Sequence, residues 1–450
     1  MKKLLSAFLL FLVFPAPGIA QEIPFTEILE TAIPAVVSVT AQGDVPLNQL
    51  PAVLQPKRRG NQQAPAAGTP PPSAQFESFG SGVIVDASKG YVLTNSHVVQ
   101  DAKIITVTLH SGRKLSAKLI GTDPGSDIAV LQVPAKELKA LSFGDSDALK
   151  VGQFVAAIGS PFSSNLSQTV TSGIISGLRR NKLGIEEYEN FIQTNASINM
   201  GNSGGALVNR QGELIGINTA ILAPEGGNIG IGFAIPINMA RALMSQIIQY
   251  GAVKRGLMGV MMQDLTPDLA DAMKISDPKG GIVALVQPGS PAEQAGFKVG
   301  DIIQEVNGKK VNDGGEVRNL VGLLRVGSKV SIKLLRDGKF IDLNVVTTDP
   351  KKYEEIYIAQ HPFLNGVGLR TVDEVMTNQT RMKGVQITDI KRDTAAWRSG
   401  LLRGDVILSA NGSPVTMIEQ LTEAVKKNKE TLLVNVFRPA GNGALYIVVK

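Results

Sequence analysis

The sequence predicts a mainly β protein, with a double β-barrel domain followed by two copies of one smaller domain. Three observations lead there. From Gly82 to Pro236, short apolar runs alternate with polar turns: Ile104–Leu109, Ser116–Ile120, Ile128–Val133, Phe154–Ile158 and Gly173–Gly177. That spacing suits an all-β barrel pair. Ile237 to Tyr250 then switches to helical spacing at Met239, Leu243, Ile247 and Ile248. The remainder contains an internal repeat with a period of about a hundred residues, too long for a solenoid, so two copies of one unit are expected.

The chain opens with Lys2-Lys3, an apolar stretch from Leu4 to Phe14, and the small residues Gly18 and Ala20 before Gln21. This reads as a signal peptide over 1–20, because the apolar run is too short to span a bilayer. No later run reaches spanning length, so a mature protein without an integral membrane segment is expected. The first folded domain is placed at 21–255. Within it, Gln42 to Ser78 is rich in Pro, Gln, Ala and Gly and has little apolar surface to bury, so 42–78 is expected to be a mobile loop. It separates two strand-like pieces, Ala35–Thr40 and Gly82–Val85.

The formal net charge is +6, falling to +4 once Lys2 and Lys3 leave. Basic residues are scattered, with only the short clusters Lys57-Arg58-Arg59 and Arg179-Arg180, which argues against nucleic acid as a partner. There is no cysteine, which excludes disulfides and zinc–thiolate sites. Neither metal nor cofactor is expected.

Gly201-Asn202-Ser203-Gly204-Gly205 sets a serine between glycines and between two apolar runs. A serine hydroxyl becomes a nucleophile when a base takes its proton and backbone N–H groups receive the oxyanion. Glycine allows the backbone angles that turn successive N–H groups toward one point. Only three histidines can supply the base. His97 stands where the run Tyr91–Leu93 enters a polar turn, His110 precedes a Ser-Gly turn, and His361 precedes Pro362 among charged residues. His97 is therefore the candidate base. Asp127, where the turn Gly125-Ser126 enters the apolar run Ile128–Leu131, is the candidate carboxylate; Asp123, Asp145 and Asp147 read as turn formers. The order His97, Asp127, Ser203 is that of chymotrypsin-type proteases. A hairpin after Ser203, in place of a helix, excludes the nucleophile elbow of α/β-hydrolases.

In the repeat, Ser290–Ile303 recurs as Thr394–Ile407, with Asn307-Gly308 matched by Asn411-Gly412. A short helix, then Gly-Asp-Ile-Ile or Gly-Asp-Val-Ile, then an Asn-Gly hairpin turn resembles PDZ domains, which add an extended peptide to a sheet edge and hold its terminal carboxylate on backbone N–H groups. The copies are placed at 256–350 and 363–450, with a linker at 351–362. Leu257, Met258, Gly259 and Val260 match the carboxylate loop of the first copy. Gly366-Val367-Gly368-Leu369 aligns only with a gap, leaving peptide binding and simple docking both open for the second. Trp397, the only tryptophan, is expected in a core or a domain interface.

Together these segments resemble the HtrA/Deg family of bacterial envelope serine proteases, most of all its DegQ-like branch. Thr94–Val98 resembles the family's histidine motif, Ser126–Ala129 its aspartate motif, Gly201–Leu207 its nucleophile motif, and Gly226–Pro236 the segment after its specificity loop. Met200 and Asn195 depart from it, where a basic residue and an aspartate are common. The resemblance implies a periplasmic endopeptidase acting on unfolded or damaged proteins, with chaperone activity alongside. It implies an oxyanion hole from the N–H groups of Gly201 and Ser203. It also implies assembly into trimers and, around substrate, larger cages. The strand Gly216–Ala220 would pair with substrate backbone, with Asn202 and Asn218 among the contacts. Ile198 with Thr219, Ala220, Ile221, Leu222 and Ala223 would shape the pocket for the residue before the scissile bond (P1).

Six positions before the nucleophile stands Ser197, where trypsin carries its pocket aspartate. With Ile198 beside it, a small or medium apolar P1 residue is expected. The rival reading from another class is a PDZ-based holdase or scaffold with dispensable proteolysis. A complete triad weighs against it.

Overall fold

The computed structural model describes residues 25–46, 73–160, 168–199, 201–221, 228–275, 278–287, 289–350, 362–375, 381–427, 430–439 and 443–450. The expected signal peptide, most of the expected loop, His361, Leu222 and Ala223 lie outside them. The chain divides into two compact units, Met1–Val253 and Lys254–Lys450. No helix among the described residues is long and apolar enough to cross a membrane.

The first unit holds two β layers. β1 (Val36–Pro46), β2 (Ser73–Asp86), β3 (Tyr91–Thr94), β4 (Ala102–Thr108), β5 (Lys114–Ser116), β6 (Lys118–Asp123) and β7 (Ile128–Gln132) form a seven-stranded sheet in the order β5-β4-β1-β2-β3-β7-β6. β8 (Phe154–Gly159), β9 (Thr169–Arg180), β10 (Phe191–Thr194), β11 (Ala206–Val208), β12 (Leu214–Ile221) and β13 (Gly232–Pro236) close into a barrel, β10-β13-β12-β11-β8-β9. Each layer surrounds its own apolar core. Val37, Val39, Ile84, Val92 and Leu131 fill the first, and Val155, Ile175, Ile192, Leu207 and Ile215 the second. The predicted helix runs over Ile237–Tyr250 and buries Met239, Leu243 and Ile247. It ends at Gly251, whose φ of 75° suits the left-handed C-terminal cap.

One boundary differs from expectation. The loop predicted at 42–78 is strand at both ends, because β1 and β2 pair antiparallel without interruption from Val36↔Val83 to Pro46↔Ser73. Cross-strand hydrogen bonds hold backbone that composition alone assigns to a loop.

In the second unit, β14 (Val260–Asp264), β15 (Gly281–Val286), β16 (Ile302–Val306), β18 (Lys329–Arg336) and β19 (Lys339–Val346) form one sheet in that order, with β17 (Lys309–Lys310) paired to β16. β20 (Val367–Val375), β21 (Arg381–Ile390), β22 (Val406–Ala410), β24 (Leu432–Arg438) and β25 (Gly443–Val449) repeat the order, with β23 (Ser413–Pro414) on β22. The Asn-Gly pairs make two-residue turns, as Asp337-Gly338 does between β18 and β19. Asn307 and Gly308 have φ of 50° and 75°, and Asn411 and Gly412 have 50° and 80°, the double positive φ of a type I′ hairpin. The same ion pair also recurs. Arg336 binds Asp301 through two nitrogens at 2.6 and 2.7 Å, and Arg438 binds Asp405 at 2.8 and 2.7 Å. Trp397 departs from the core reading: it lies on the surface of its domain, 40% exposed.

Candidate active site

Strand geometry brings the three candidate residues together from both layers of the first unit. β3 ends at Thr94, and His97 follows on the single helical turn Ser96–Val99. Asp127 closes the short turn Pro124–Ser126 just before β7, with φ of 53°. Because β3 pairs with β7, Thr94 opposite Ala129, the histidine and aspartate turns emerge side by side. His97 Nδ1 lies 3.0 and 2.9 Å from the two carboxylate oxygens of Asp127, and the His97 N–H donates to Oδ1 at 3.0 Å. Asn95 donates its side-chain amide to the Asp127 carbonyl at 2.9 Å. A carboxylate at Nδ1 makes that nitrogen the protonated one and leaves the lone pair on Nε2. Asp127 is buried while about half of the His97 side chain, 49%, is exposed, so the base has an open side.

The nucleophile loop lies between β10 and β11. Gly201 has φ of 97°, and the Asn202 N–H donates to the Asn199 carbonyl at 3.0 Å, closing a four-residue turn with glycine in its third place. Among the described residues, the N–H groups of Gly201 and Ser203 meet no protein acceptor, whereas those of Asn202, Gly204 and Gly205 do. Ser203 is half-buried, and its hydroxyl donates to the Thr219 carbonyl at 3.2 Å.

Thr219 is the residue that local sequence could not place. The register between β12 and β13 shifts between Asn218 and Ala220. Such a bulge re-aims a side chain. Here it turns the Thr219 hydroxyl to Asp127 Oδ2, 2.6 Å away, while the carbonyl meets Ser203. The residue read as a pocket wall thus touches two members of the triad.

The other expected contacts are internal. Ile198 is buried in the barrel core, packed where Gly232 leaves room for it. Asn218 is buried and donates to the carbonyls of Ile158 and Ala206 at 3.5 and 3.1 Å. Asn202 reaches the Ser197 carbonyl at 3.4 Å. Their backbone groups are paired as well: the Asn202 N–H on Asn199 and its carbonyl with Gly205, the Asn218 N–H on Gly205 and its carbonyl with Gly204. Ala220 and Ile221 pair with Phe233 and Gly232 on one edge, and β11 stops opposite Ile217 on the other. Asn195 accepts the Ile174 N–H at 2.7 Å, a contact its amide oxygen makes as an aspartate would. Among the described residues, no group of side chains could hold a metal.

Electrostatics converge on the imidazole. Burial works against its charged form, but the hydrogen bond and charge of Asp127, with a smaller contribution from Glu186, outweigh it and hold the pKa above the usual 6.5. Glu186 lies on the loop after β9, which is tied to the aspartate turn by the Tyr188 N–H on the Gly125 carbonyl at 2.8 Å. Burial, then repulsion from Asp127, Glu189 and Asp123, pushes Glu186 up to about 7, with His97 pulling the other way.

In the second unit, the Met258 and Gly259 carbonyls accept the N–H groups of Ala292 and Gln287 at 2.9 and 2.8 Å. Their own N–H groups meet no acceptor among the described residues. Gly259 has φ of 89°, and the neighbouring β14 is an edge strand.

A trypsin-like peptidase domain model matches residues 80–217, and PDZ domain models match 256–347 and 386–436. The chain is 43% identical to the periplasmic serine endoprotease DegP of Escherichia coli (strain K12), covering 96% of this chain and 93% of that one. It is 42% identical to the periplasmic pH-dependent serine endoprotease DegQ of the same organism, over 96% and 94%. Identity therefore does not separate the DegQ-like branch from the DegP-like one. Solved structures of the HtrA-type protease AlgW with a decapeptide and with a tripeptide are 40% identical, with TM-scores of 0.55 and 0.57. They cover 73% and 72% of this chain and 99% and 97% of those.

Proposed function

The chain belongs to the HtrA-type family of periplasmic serine endoproteases, and from that premise we propose that it removes unfolded or damaged envelope proteins by a His97–Asp127–Ser203 triad. The observation that carries this is the imidazole fixed on Asp127, its Nε2 without a protein partner among the described residues, with Ser203 linked to the same carboxylate through Thr219. Rotation of the Ser203 side chain moves its hydroxyl from the Thr219 carbonyl to His97 Nε2, which takes the proton as Oγ attacks the scissile carbonyl. His97 then returns the proton to the leaving amine, while Asp127 stabilises the imidazolium. The N–H groups of Gly201 and Ser203, which meet no acceptor among the described residues, receive the oxyanion.

Substrate backbone adds to the open edge of β12 near Ala220, and the pocket beyond Ser197 takes a small or medium apolar residue. Such residues are buried in folded proteins and exposed in unfolded ones, which selects the clients. The loop Leu257–Val260 captures a peptide terminus on the free N–H groups of Met258 and Gly259. The domain limits follow the sequence reading: protease 21–255, first PDZ copy 256–350, second 363–450. Within the family we read the motif set as DegQ-like. Chaperone activity and self-association accompany cleavage.

One assay tests the reading: digestion of casein by the intact chain, by Ser203→Ala, and by a chain ended after Tyr250. The intact chain should cut at many sites and Ser203→Ala at none, with the truncated chain slower on casein. Retention of more than about a hundredth of the rate by Ser203→Ala contradicts the assignment, since triad losses cost far more.

A further inference from the structure

Ser81 lies on β2 in the first sheet, yet the loop it touches belongs to the other barrel. It is fully buried. Its hydroxyl donates to the Gly201 carbonyl at 2.6 Å and accepts the Ser160 N–H at 2.7 Å. Its N–H donates to the Ser203 carbonyl at 2.8 Å, and its carbonyl accepts the Thr94 hydroxyl at 2.7 Å. The fit behind it is close: a Cβ on Gly204, where φ is 82°, would stand 2.1 Å from the Ser81 carbonyl oxygen.

These bonds hold two peptide planes at both ends. In the Gly201–Asn202 plane, the carbonyl takes the Ser81 hydroxyl and the N–H goes to Asn199, 3.0 Å away. In the Ser203–Gly204 plane, the carbonyl takes the Ser81 N–H and the N–H goes to Asn218, 2.8 Å away. Gly201 and Ser203 own those carbonyls, so the peptide plane that follows each of the two hole residues is held. Glycine resists rotation less than any other residue, so the direction of the Gly201 amide depends on what fastens its neighbours.

We propose that Ser81 is a positioning residue for the oxyanion hole, fastening the Gly201–Gly204 loop to the seven-stranded sheet so that both hole amides stay aimed without substrate present. This rests on the assignment of Gly201 and Ser203 to the hole. Through Ser160, the same hydroxyl also pins the end of β8. Loss of the hydroxyl leaves the Gly201 carbonyl and the Ser160 N–H buried without it, and the glycine free to turn.

The test is Ser81→Ala in the full chain. It should lower kcat by about 10- to 100-fold, up to the value of one hole donor, with KM within about twofold. Affinity for a peptide boronate, whose tetrahedral adduct uses the hole, should fall by the same factor. Binding of an uncleaved peptide, compared between Ser203→Ala and the Ser81→Ala/Ser203→Ala double variant, should not change. The acid limb of the pH profile should stay in place, since His97 and Asp127 are untouched. Ser81→Cys, keeping a weak donor on a somewhat larger atom, should fall between, and it carries the test if the alanine variant does not fold. A kcat within threefold of the parent, or an equal loss of ground-state peptide binding, overturns the inference. Full activity of Ser203→Ala would instead overturn the site assignment beneath it.

Discussion

The Thr219 hydroxyl donates to Asp127 Oδ2 at 2.6 Å, and the carbonyl of the same threonine receives the Ser203 hydroxyl at 3.2 Å. One bulged residue of the second barrel thus touches the orienting carboxylate and the resting nucleophile. Thr219→Val keeps the shape and the carbonyl but loses the donor. A hydrogen bond to a charged group is worth about 1.5 kcal/mol or more, close to tenfold in rate. We expect kcat to fall by about five- to tenfold with KM nearly unchanged. Steady-state kinetics on one peptide checks it, and an unchanged kcat would make the contact incidental.

The pH dependence follows from two shifts. His97 must be neutral to accept the proton, and its pKa lies above 6.5, so the acid limb of kcat/KM should fall above that value. Ionised Glu186 contributes to the upward shift, so Glu186→Gln should move the limb to lower pH. Stability gives a second readout. Glu186 titrates near 7 in the fold against 4.5 unperturbed, so the folded state binds the extra proton between those values and stability falls as pH rises through them. Glu186→Gln should therefore raise Tm at pH 8 and change it little at pH 4.5. Equal effects at both would show that Glu186 acts otherwise.

On the proposed reading, specificity follows from the missing carboxylate at Ser197. Exchanging a P1 valine for lysine in a good peptide should lower kcat/KM by about a hundredfold, because burying an unpaired ammonium costs several kcal/mol. Equal cleavage of the two peptides would move the pocket elsewhere.

In the first PDZ copy, Asp301 is 1% exposed and its charge is met by Arg336. Arg336→Leu strands that carboxylate, at a cost of about 3–5 kcal/mol. Calorimetry should show the transition of the C-terminal unit lowered by about 10 °C or more, with peptide hydrolysis kept. Asp301→Leu combined with Arg336→Leu, which removes both charges, should recover most of the loss.

Without cysteine, any assembly is non-covalent and depends on concentration. We expect at least a trimer in solution and larger particles with an unfolded client. Deleting Phe363–Lys450 should prevent the large particles and leave the trimer. Light scattering coupled to size exclusion decides it; a monomer at micromolar concentration contradicts the assembly.

What the sequence made legible was local. His97 and Asp127 each stand where an apolar run meets a polar turn, and Ser203 sits in its own glycine frame. The two Asn-Gly turns and the helix Ile237–Tyr250 carry signals within a few residues. What it hid depends on pairing at a distance. Nothing near Thr219 announces a bulge, which exists only in its register with β13. Ser81 lies 120 residues from Gly201, and only closure of the two barrels brings them together. The motif places Ile198 and Asn218 near Ser203, but that the barrel buries both side chains depends on its closure and has no local signal.

The division of labour between the sheet and the barrel has a consequence on heating. Base and carboxylate come from the sheet, nucleophile and bulge from the barrel, and at the site they are joined by Thr219 on Asp127 and by Ser81 on the nucleophile loop. We expect a slight parting of the two to disarm the enzyme before either core melts. Inactivation should then precede denaturation on heating, so that a copy whose own fold is loosening stops cutting before it becomes a substrate for its neighbours.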